Sequence, residues 1–224
     1  MSRPVALIIG AGPGISGAFA ARLVAAGYAV ALASRDLGRL APLAASLGAS
    51  AHAVDSGSPD SLRALFTAVE TSLGAPAVVL FNPSARLRGE LADLDIAAAS
   101  VALQSTALGA LVTAQEAARR MLPRGSGAIF FTGATASIKG YARSTVFAMG
   151  KFAVRGLAQS LSRELGPAGI HVAHFVIDGA VAKPDDPTNP FTADAIANSY
   201  MAVLAQPRGA WTTEIELRSY REPF

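Results

Sequence analysis

The stretch that decides the fold is GAGPGISGA, Gly10 to Ala18, which joins the apolar run VALIIG (Val5 to Gly10) to a helix-like segment from Gly14 to Ala26. Glycines in such a turn let the backbone fold tightly and bring N–H groups and the N-terminus of the helix against a pyrophosphate. Glycine also serves ordinary tight turns, but a strand, a glycine-rich turn and a helix in this order predict a dinucleotide-binding site.

Strand-like and helix-like segments alternate along the chain, which is the pattern of a parallel sheet built from strand-helix-strand units. Further helix-like segments are Ser58 to Leu73, Asp93 to Met121 and Thr145 to Leu165. The strand-like runs are Val5 to Gly10, Ala29 to Ser34, Ala51 to Asp55, Ala77 to Asn82, Gly127 to Gly133, His171 to Asp178 and Thr213 to Arg218. Their apolar residues do not alternate strictly, so both faces of the sheet are expected to be covered. We therefore predict one α/β domain over residues 1–224, with a Rossmann-type, doubly wound, parallel, seven-stranded sheet.

Composition narrows the classes of function. The chain has 19 Lys and Arg against 16 Asp and Glu, and its formal net charge of +3 is spread without a basic run, which disfavours nucleic acid binding. It has no Cys, and two of its three His fall in a strand-like run, so no metal site is expected. The N-terminal MSRPVALIIG reaches a glycine after an apolar run too short for a signal peptide or a membrane span. We expect a soluble, cytoplasmic protein with no membrane partner.

The end of the second predicted strand bears on the choice of nucleotide. NAD-binding versions of this fold place an acidic residue there, about 20 residues after the glycines, to hold the ribose hydroxyls. This strand ends ASRD, Ala33 to Asp36, and Ser34 and Arg35 can bond and neutralise a 2′-phosphate. The alternative is a solvated Arg35 with Asp36 on the ribose. We predict that NADP(H) is bound in preference to NAD(H).

With these motifs, the chain resembles the short-chain dehydrogenase/reductase family over essentially its whole length. IGAGPGIS is similar to the family's TGxxxGxG turn, and FNPSA (Phe81 to Ala85) stands for its NNAG. AMGK matches the end of its YxxxK, and VIDGAV (Val176 to Val181) replaces its P-G segment beside the nicotinamide. The resemblance implies an oxidoreductase of a small-molecule substrate. The residues that it and the strand ends assign to the cofactor are Gly10, Gly12, Gly14, Ile15, Ser16, Ser34, Arg35, Asp55, Ser56, Asn82, Pro83, Ser84, Lys151, Gly179 and Val181.

The redox chemistry of that family depends on Asn, Ser, Tyr and Lys, of which this chain keeps the Lys. By resemblance, Tyr exchanges a proton with the substrate oxygen, Lys lowers the pKa of Tyr and holds the nicotinamide ribose, Ser positions the carbonyl, and Asn orders a water. Lys falls on Lys151, Tyr on Phe147, Ser on Ala134 and Asn near Thr106. Phe147 keeps the ring without a titratable proton, and general acid catalysis is typically worth ~10²–10⁴ in rate.

The candidate catalytic residues are Lys151, Tyr141, Asp178 and Thr135. Thr135 and its neighbour Ser137 can replace the Ser, although small hydroxyl residues after a strand are also ordinary turn residues. Tyr141 can donate a proton from a loop that borders the family's substrate pocket, or it can be a packed or surface Tyr. Asp178 can bind the nicotinamide amide or act as a base, or it can be a strand-ending turn residue. Lys151 stands in FAMGKFAV without another charge, so we expect it to point into a site and not to solvent.

Two functions remain open at this point. One is a divergent NADP(H)-dependent oxidoreductase of a carbonyl or alcohol, with Tyr141, another hydroxyl or water as the proton donor. The other is a non-redox protein of the same fold, either a nucleotide-binding regulatory protein or a lyase or isomerase. The resemblance also implies a homodimer or homotetramer formed through Leu103 to Met121 and Phe152 to Leu165. The loop Ala182 to Phe191 and Trp211 are expected to cover an open substrate pocket.

Overall fold

The computed structural model describes residues 3–183, 186 and 188–222. Its strands are β1 Val5–Ile9, β2 Ala29–Ser34, β3 Ser50–Ala53, β4 Val78–Phe81, β5 Gly127–Thr132, β6 Ile170–Asp178 and β7 Glu214–Arg218. Within the described residues they form one parallel sheet in the order β3-β2-β1-β4-β5-β6-β7. The predicted doubly wound α/β fold is confirmed, and every predicted strand is present with its ends moved by at most two residues.

Helices cover both faces of the sheet. They are α1 Ile15–Ala25, α2 Leu37–Leu47, α3 Pro59–Leu73, α4 Ile96–Leu103, α5 Gly109–Met121, α6 Thr145–Leu165 and α7 Ala193–Leu204. Helices α3, α5 and α6 pack on one face around Phe66 and Phe131, and α1, α2 and α7 pack on the other around Phe19 and Tyr200. Both faces of the strands are therefore buried, which is why their apolar residues do not alternate with polar ones.

The sequence interpretation missed α2 and α7. Helix α2 contains Pro42, and a proline inside a helical pattern usually indicates a break. The helix persists because Asp36 caps its start, accepting the backbone N–H of Arg39 at 3.0 Å, and because Leu40 and Ala44 are buried against the sheet.

The predicted continuous helix from Asp93 to Met121 is interrupted. Helices α4 and α5 are joined by a π-helical turn, Gln104–Leu108. A π-helical turn holds an extra residue and is often found at functional sites. Here it buries Thr106, which is 2% exposed, and its Oγ1 accepts the backbone N–H of Ala85 at 3.2 Å. The irregular turn thereby fixes the loop that follows β4.

Trp211 does not cover a pocket, so that prediction is wrong. Its ring stacks on His171 with the centroids 4.7 Å apart, and its Nε1 donates to the carbonyl of Gln206 at 3.3 Å. His171 is near the start of β6, at the opposite end of the strand from Asp178. Of the predicted covering loop, residues 184, 185 and 187 lie outside the described residues, and Phe191 is buried in the core that α1 and α7 share.

Candidate active site

The glycine turn sets the start of α1 beside the carboxyl end of β1. Gly10 has a φ of 76°, and a Cβ there would lie 2.7 Å from the backbone nitrogen of Pro83, so this position requires glycine. Ser16 is buried, and its Oγ accepts the N–H of Gly12 at 3.0 Å. Gly14 precedes α1 and makes no side-chain cap, so the first N–H groups of α1 are left without side-chain acceptors. Such groups are the donors that a pyrophosphate uses.

A cleft of about 320 Å³, the first cleft, opens beside this turn. It lies where the strand order reverses between β1 and β4, the position at which sheets of this type hold nucleotides. The Asn82 side-chain amide donates to the carbonyl of Gly10 at 2.9 Å and ties the two strand ends together. The wall of the first cleft is formed by Ile9, Gly10, Ala11, Ser34, Arg35, Val54, Ser56, Asn82, Pro83, Ser84, Ala85 and Ser105.

Most of the residues assigned to the cofactor after β1, β2 and β4 are thus brought together in one wall. Asp55 is adjacent to the first cleft but not in its wall, and its carboxylate accepts the N–H of Gly57 at 2.9 Å. Val181 packs against the core on the α1 and α7 face and lines neither this cleft nor the next. The cofactor contacts assigned to Asp55 and Val181 therefore stay predictions.

A larger cleft of about 730 Å³, the second cleft, adjoins the first, since consecutive residues Ala85 and Arg86 line one and the other. A space of this volume holds a small organic ligand. Its wall is formed by Arg86, Arg88, Gly89, Ala134, Thr135, Ala136, Tyr141, Ala142, Arg143, Ser144, Phe147, Ile177, Gly179, Ala180 and Glu222. The structure therefore places Thr135, Tyr141 and Gly179 around one space, together with Phe147 and Ala134.

Lys151 lies one turn of α6 after Phe147 and is buried, with 3% of its surface exposed. Its Nζ donates to the backbone carbonyl of Thr132 at 2.7 Å. Burial, followed by the positive charge of Arg86, lowers the pKa of Lys151 from its ordinary value of 10.5 to about 7. An ammonium has three donors, and the hydrogen bond to Thr132 uses one of them, but Lys151 is not among the wall residues of either cleft.

Phe147 is half-buried and is covered by Arg86. The guanidinium carbon of Arg86 lies 4.8 Å from the centroid of the Phe147 ring, which is within the range of a cation–π interaction. The aromatic ring before Lys151 thus supports a cation at the wall of the second cleft. No proton donor is present on this ring.

The hydroxyl residues considered as proton donors lie in different places in the structure. Thr135 lines the second cleft, whereas Ser137 is fully buried and its Oγ accepts the N–H of Ala134 at 3.1 Å. Tyr141 lines the same cleft and is 50% exposed, with the Nζ of Lys139 lying 5.8 Å from its ring centroid. Thr135 and Tyr141 remain available at the cleft, and Ser137 serves the turn after β5.

Asp178 is engaged in an ion pair. It is 3% exposed at the end of β6, and its Oδ2 accepts a hydrogen bond from Nη1 of Arg218 on β7 at 2.5 Å. A buried carboxylate that accepts a guanidinium hydrogen bond is already occupied as an acceptor. This pairing favours a structural role for Asp178, in which it ties β6 to β7, over a role as a base.

Sequence reasoning missed the three arginines of the second cleft, Arg86, Arg88 and Arg143. The signal was available for two of them, because Arg86 and Arg88 follow β4, and side chains after the carboxyl ends of parallel strands surround the site in this fold. Arg143 has a φ of 63°, a conformation rarely adopted by residues with a side chain, and it pairs with Glu90 at 2.9 Å.

The residues present fit a bound dinucleotide. A Cβ added at Gly12 or Gly14 would meet no protein atom within 4 Å, so the turn before Ile15 faces open space. The uncapped start of α1 supplies donors for phosphate, and the first cleft continues from there past Ser34 and Arg35. Among the described residues, no group of three His, Asp or Glu side chains is placed to share a metal ion.

Comparisons with known proteins agree with this geometry. A sequence model described as short chain dehydrogenase matches residues 4–183. The 3-oxoacyl-[acyl-carrier-protein] reductase MabA of Mycobacterium bovis is 31% identical over 181 residues, which are 81% of this chain and 70% of that protein.

Solved structures are similar along nearly the whole chain. A short-chain dehydrogenase from Rhodopseudomonas palustris superposes with a TM-score of 0.86 at 33% identity, covering 97% of this chain and 99% of that chain. An alcohol dehydrogenase from the archaeon Thermococcus sibiricus, complexed with 5-hydroxy-NADP, has a TM-score of 0.87 at 25% identity, covering 100% of each chain. Since the sequence model, the relatives and the glycine turn all agree, the chain belongs to the short-chain dehydrogenase family of oxidoreductases.

Proposed function

We propose that this protein is an NADP(H)-dependent oxidoreductase that interconverts a small carbonyl compound and the corresponding alcohol. The observation that carries the proposal is the junction of the two clefts between Ala85 and Arg86, with Lys151 buried on the helix whose Phe147 lines the second cleft. The complex of the Thermococcus sibiricus alcohol dehydrogenase with 5-hydroxy-NADP supports a nicotinamide cofactor. The test is NADPH oxidation with a panel of carbonyl, imine and enone compounds, and a rate no higher than the enzyme-free rate for all of them would reject the proposal.

Each residue has a defined part in this proposal. In reduction, NADPH held at the first cleft would supply a hydride to the carbonyl carbon and would become NADP⁺, and a proton from the protein or water would complete the alcohol. Lys151 holds the nicotinamide ribose with the donors that Thr132 does not use. Tyr141, Thr135 or a water in the second cleft delivers the proton to the substrate oxygen. Asp178 is given no part in this step, because its carboxylate is paired with Arg218.

The preference for NADP(H) rests on the end of β2. Ser34 and Arg35 line the first cleft, whereas the carboxylate of Asp36 is used as the cap of α2. A capping carboxylate is a poorer partner for ribose hydroxyls, and an exposed guanidinium beside the cleft suits a 2′-phosphate.

Replacing Arg35 by Ala is expected to weaken NADPH binding about tenfold or more and to leave NADH binding nearly unchanged, because only NADPH carries the 2′-phosphate. Fluorescence titrations with the two nucleotides measure the effect. Arg39→Ala is the matched control, since Arg39 is on α2 with 91% of its side chain exposed and does not line the cleft. Equal losses of NADPH and NADH affinity would contradict the assignment.

A second candidate function is favoured by Phe147 and Ala134. With neither a phenol nor a hydroxyl at these positions, the second cleft could bind its ligand without redox turnover, as in a nucleotide-binding regulatory protein, a lyase or an isomerase. Binding of NADPH without oxidation by any member of the carbonyl panel would favour this candidate.

We also propose that the protein forms a homodimer or homotetramer through α4, α5 and α6. These helices leave large apolar side chains in solvent, including Val101 (62% exposed), Leu111 (49%), Met149 (53%) and Phe152 (43%). The helical run Ile96–Arg124 is long and apolar enough, by length and composition, to cross a membrane, and 39% of its most apolar stretch is buried in the fold. An exposed apolar face of this kind suits a subunit interface. The absence of a membrane partner and a cytoplasmic location stay predictions.

Leu111→Glu is expected to convert the oligomer to monomer at micromolar concentrations, because burying an unpaired carboxylate costs several kcal/mol. Light scattering after gel filtration measures the mass. Leu37→Glu, at a comparably exposed leucine (43%) on α2, is expected to keep the oligomer. A monomeric wild-type protein, or an unchanged mass for Leu111→Glu, would refute the proposed interface.

A further inference from the structure

The second cleft has a positively charged wall. Three arginines, Arg86, Arg88 and Arg143, line it, and Glu222 is the acidic residue among the described residues of its wall. Among the described residues, Arg143 is paired with Glu90, whereas neither Arg86 nor Arg88 has a carboxylate within ion-pair distance. Within the part of the chain that the structure describes, two guanidinium groups therefore line the cleft without an ion-pair partner.

Arg86 is held in place by an aromatic ring. Its guanidinium carbon lies over Phe147 at 4.8 Å from the ring centroid. The N–H groups of a guanidinium lie at the edge of its plane, where a planar carboxylate can accept two of them. The contact with the Phe147 ring also reduces the number of Arg86 rotamers that a bound anion would have to fix.

The charge of Arg86 acts within the site. It is the second cause, after burial, of the lowered pKa of Lys151. Phe147 lines the second cleft, and Lys151 is one helical turn away on α6. The charge of Arg86 over the Phe147 ring is therefore at the part of the second cleft where we propose that the carbonyl group reacts. An anion bound by Arg86 would share the second cleft with Ala134 and Gly179, which also line it.

We propose that the substrate of the second cleft is a carbonyl compound that carries a carboxylate, which Arg86 binds with Arg88 beside it. That the substrate has a carbonyl group rests on the proposed function, and that it has a carboxylate rests on the two arginines. Arg88 adds attraction over a longer range, since it lines the same wall and is exposed.

The test is an equilibrium titration with two ketones that differ in one charge, 4-acetylbenzoate and its methyl ester. Each is titrated calorimetrically into the protein, both without nucleotide and with saturating NADP⁺. We expect the carboxylate to bind at least about tenfold more tightly than the ester. A difference of this size is what a charge-assisted hydrogen bond contributes at a partly exposed site. The difference is expected to shrink in high salt, because the arginines are exposed.

Variants assign the effect to its residues. Arg86→Gln is expected to reduce the affinity for the carboxylate to that for the ester and to leave the ester unchanged, and Arg88→Gln is expected to cause a smaller loss. Arg63→Gln removes the same charge from α3, where Arg63 pairs with Asp60. It is expected to leave the affinity for both ketones unchanged. Equal binding of the two ketones, no binding of either, or equal losses for both in Arg86→Gln would overturn the proposal.

The carboxylate-binding proposal and the proposed oxidoreductase function can fail separately, and the experiments distinguish the two failures. A carboxylate preference that depends on Arg86, together with no NADPH binding, would reject the oxidoreductase and keep the anion site. NADPH oxidation with uncharged ketones and no carboxylate preference would keep the oxidoreductase and reject the anion site.

Discussion

Replacing Lys151 by Met is expected to abolish substrate-dependent NADPH oxidation and, in the same variant, to raise the melting temperature. Oxidation is lost because Met has no donor for the nicotinamide ribose. The melting temperature rises because the variant no longer has to bury an ammonium whose protein contact is the Thr132 carbonyl. A thermal melt and a rate measurement on the same preparation test both parts.

The stability gain is expected to depend on pH. The pKa of Lys151 is about 7 in the folded protein, against an ordinary value of 10.5. Below pH 7 both folded and unfolded chains are protonated and the wild type carries the full cost of the buried charge. Between pH 7 and the ordinary value the unfolded chain binds a proton that the folded chain has lost, so the wild type becomes more stable as the pH rises. The advantage of Lys151→Met is therefore greatest near pH 6, on the order of a few kcal/mol, and smaller at pH 9.

Lys139→Met is the matched control for stability, because Lys139 is exposed on the loop before α6. Its unfolding curve is expected to follow that of the wild type at both pH values. A Lys151→Met variant that is less stable than the wild type at pH 6 would show that the ammonium contributes to folding, against the burial argument. Unchanged NADPH oxidation would remove Lys151 from the proposed site.

The double change Phe147→Tyr and Ala134→Ser is expected to raise the rate of carbonyl reduction by about 10² or more, because it adds a general acid and a carbonyl-binding hydroxyl. Both positions line the second cleft, and Lys151 is one turn away on the same helix. The Phe147 ring is already in place with Arg86 over it, so the added phenol requires no new packing of the ring. Steady-state rates with NADPH and 4-acetylbenzoate measure the effect.

Phe152→Tyr is the control, since Phe152 lies on the same helix and is 43% exposed. If the wild type has no activity and the double variant does, the non-redox candidate is supported, and the wild-type site is complete except for its proton donor. If the wild type already turns over and the double variant is no faster, a different group delivers the proton, and Tyr141→Phe and Thr135→Val then identify it.

Much of the fold could be predicted from sequence because its signals are local. A strand, a glycine-rich turn and a helix stand together at Val5 to Ala26, and uninterrupted apolar runs mark the buried strands. Helix α2 was missed because Pro42 is an unfavourable local signal that burial of Leu40 and Ala44 outweighs. The π-helical turn has no local signal that the sequence interpretation used, and its Thr106 contacts Ala85, which is on a separate segment of the chain.

The sequence predicted that several residues after the strands lie together and that Lys151 on α6 is buried. Ser34, Arg35 and Asn82 could be assigned because the carboxyl ends of parallel strands converge on one edge. The partner of Asp178 could not, because Arg218 is on another strand and pairs with it only after β6 and β7 align. Stacking of Arg86 on Phe147 likewise joins a loop and a helix that are far apart in sequence.

The π-helical turn Gln104–Leu108 makes the spacing of residues in this helix as important as their identity. Ser105 lines the first cleft, while the next residue, Thr106, anchors the loop that leads to the second. Each residue of an α-helix advances the chain by about 100° around its axis, so deleting one residue here would rotate α4 by that angle relative to α5. Either the buried Ala99 and Ala102 or the two hydroxyls would then face the wrong way. Homologous chains that share this site should therefore keep the number of residues between α4 and α5 constant even where the residues themselves differ.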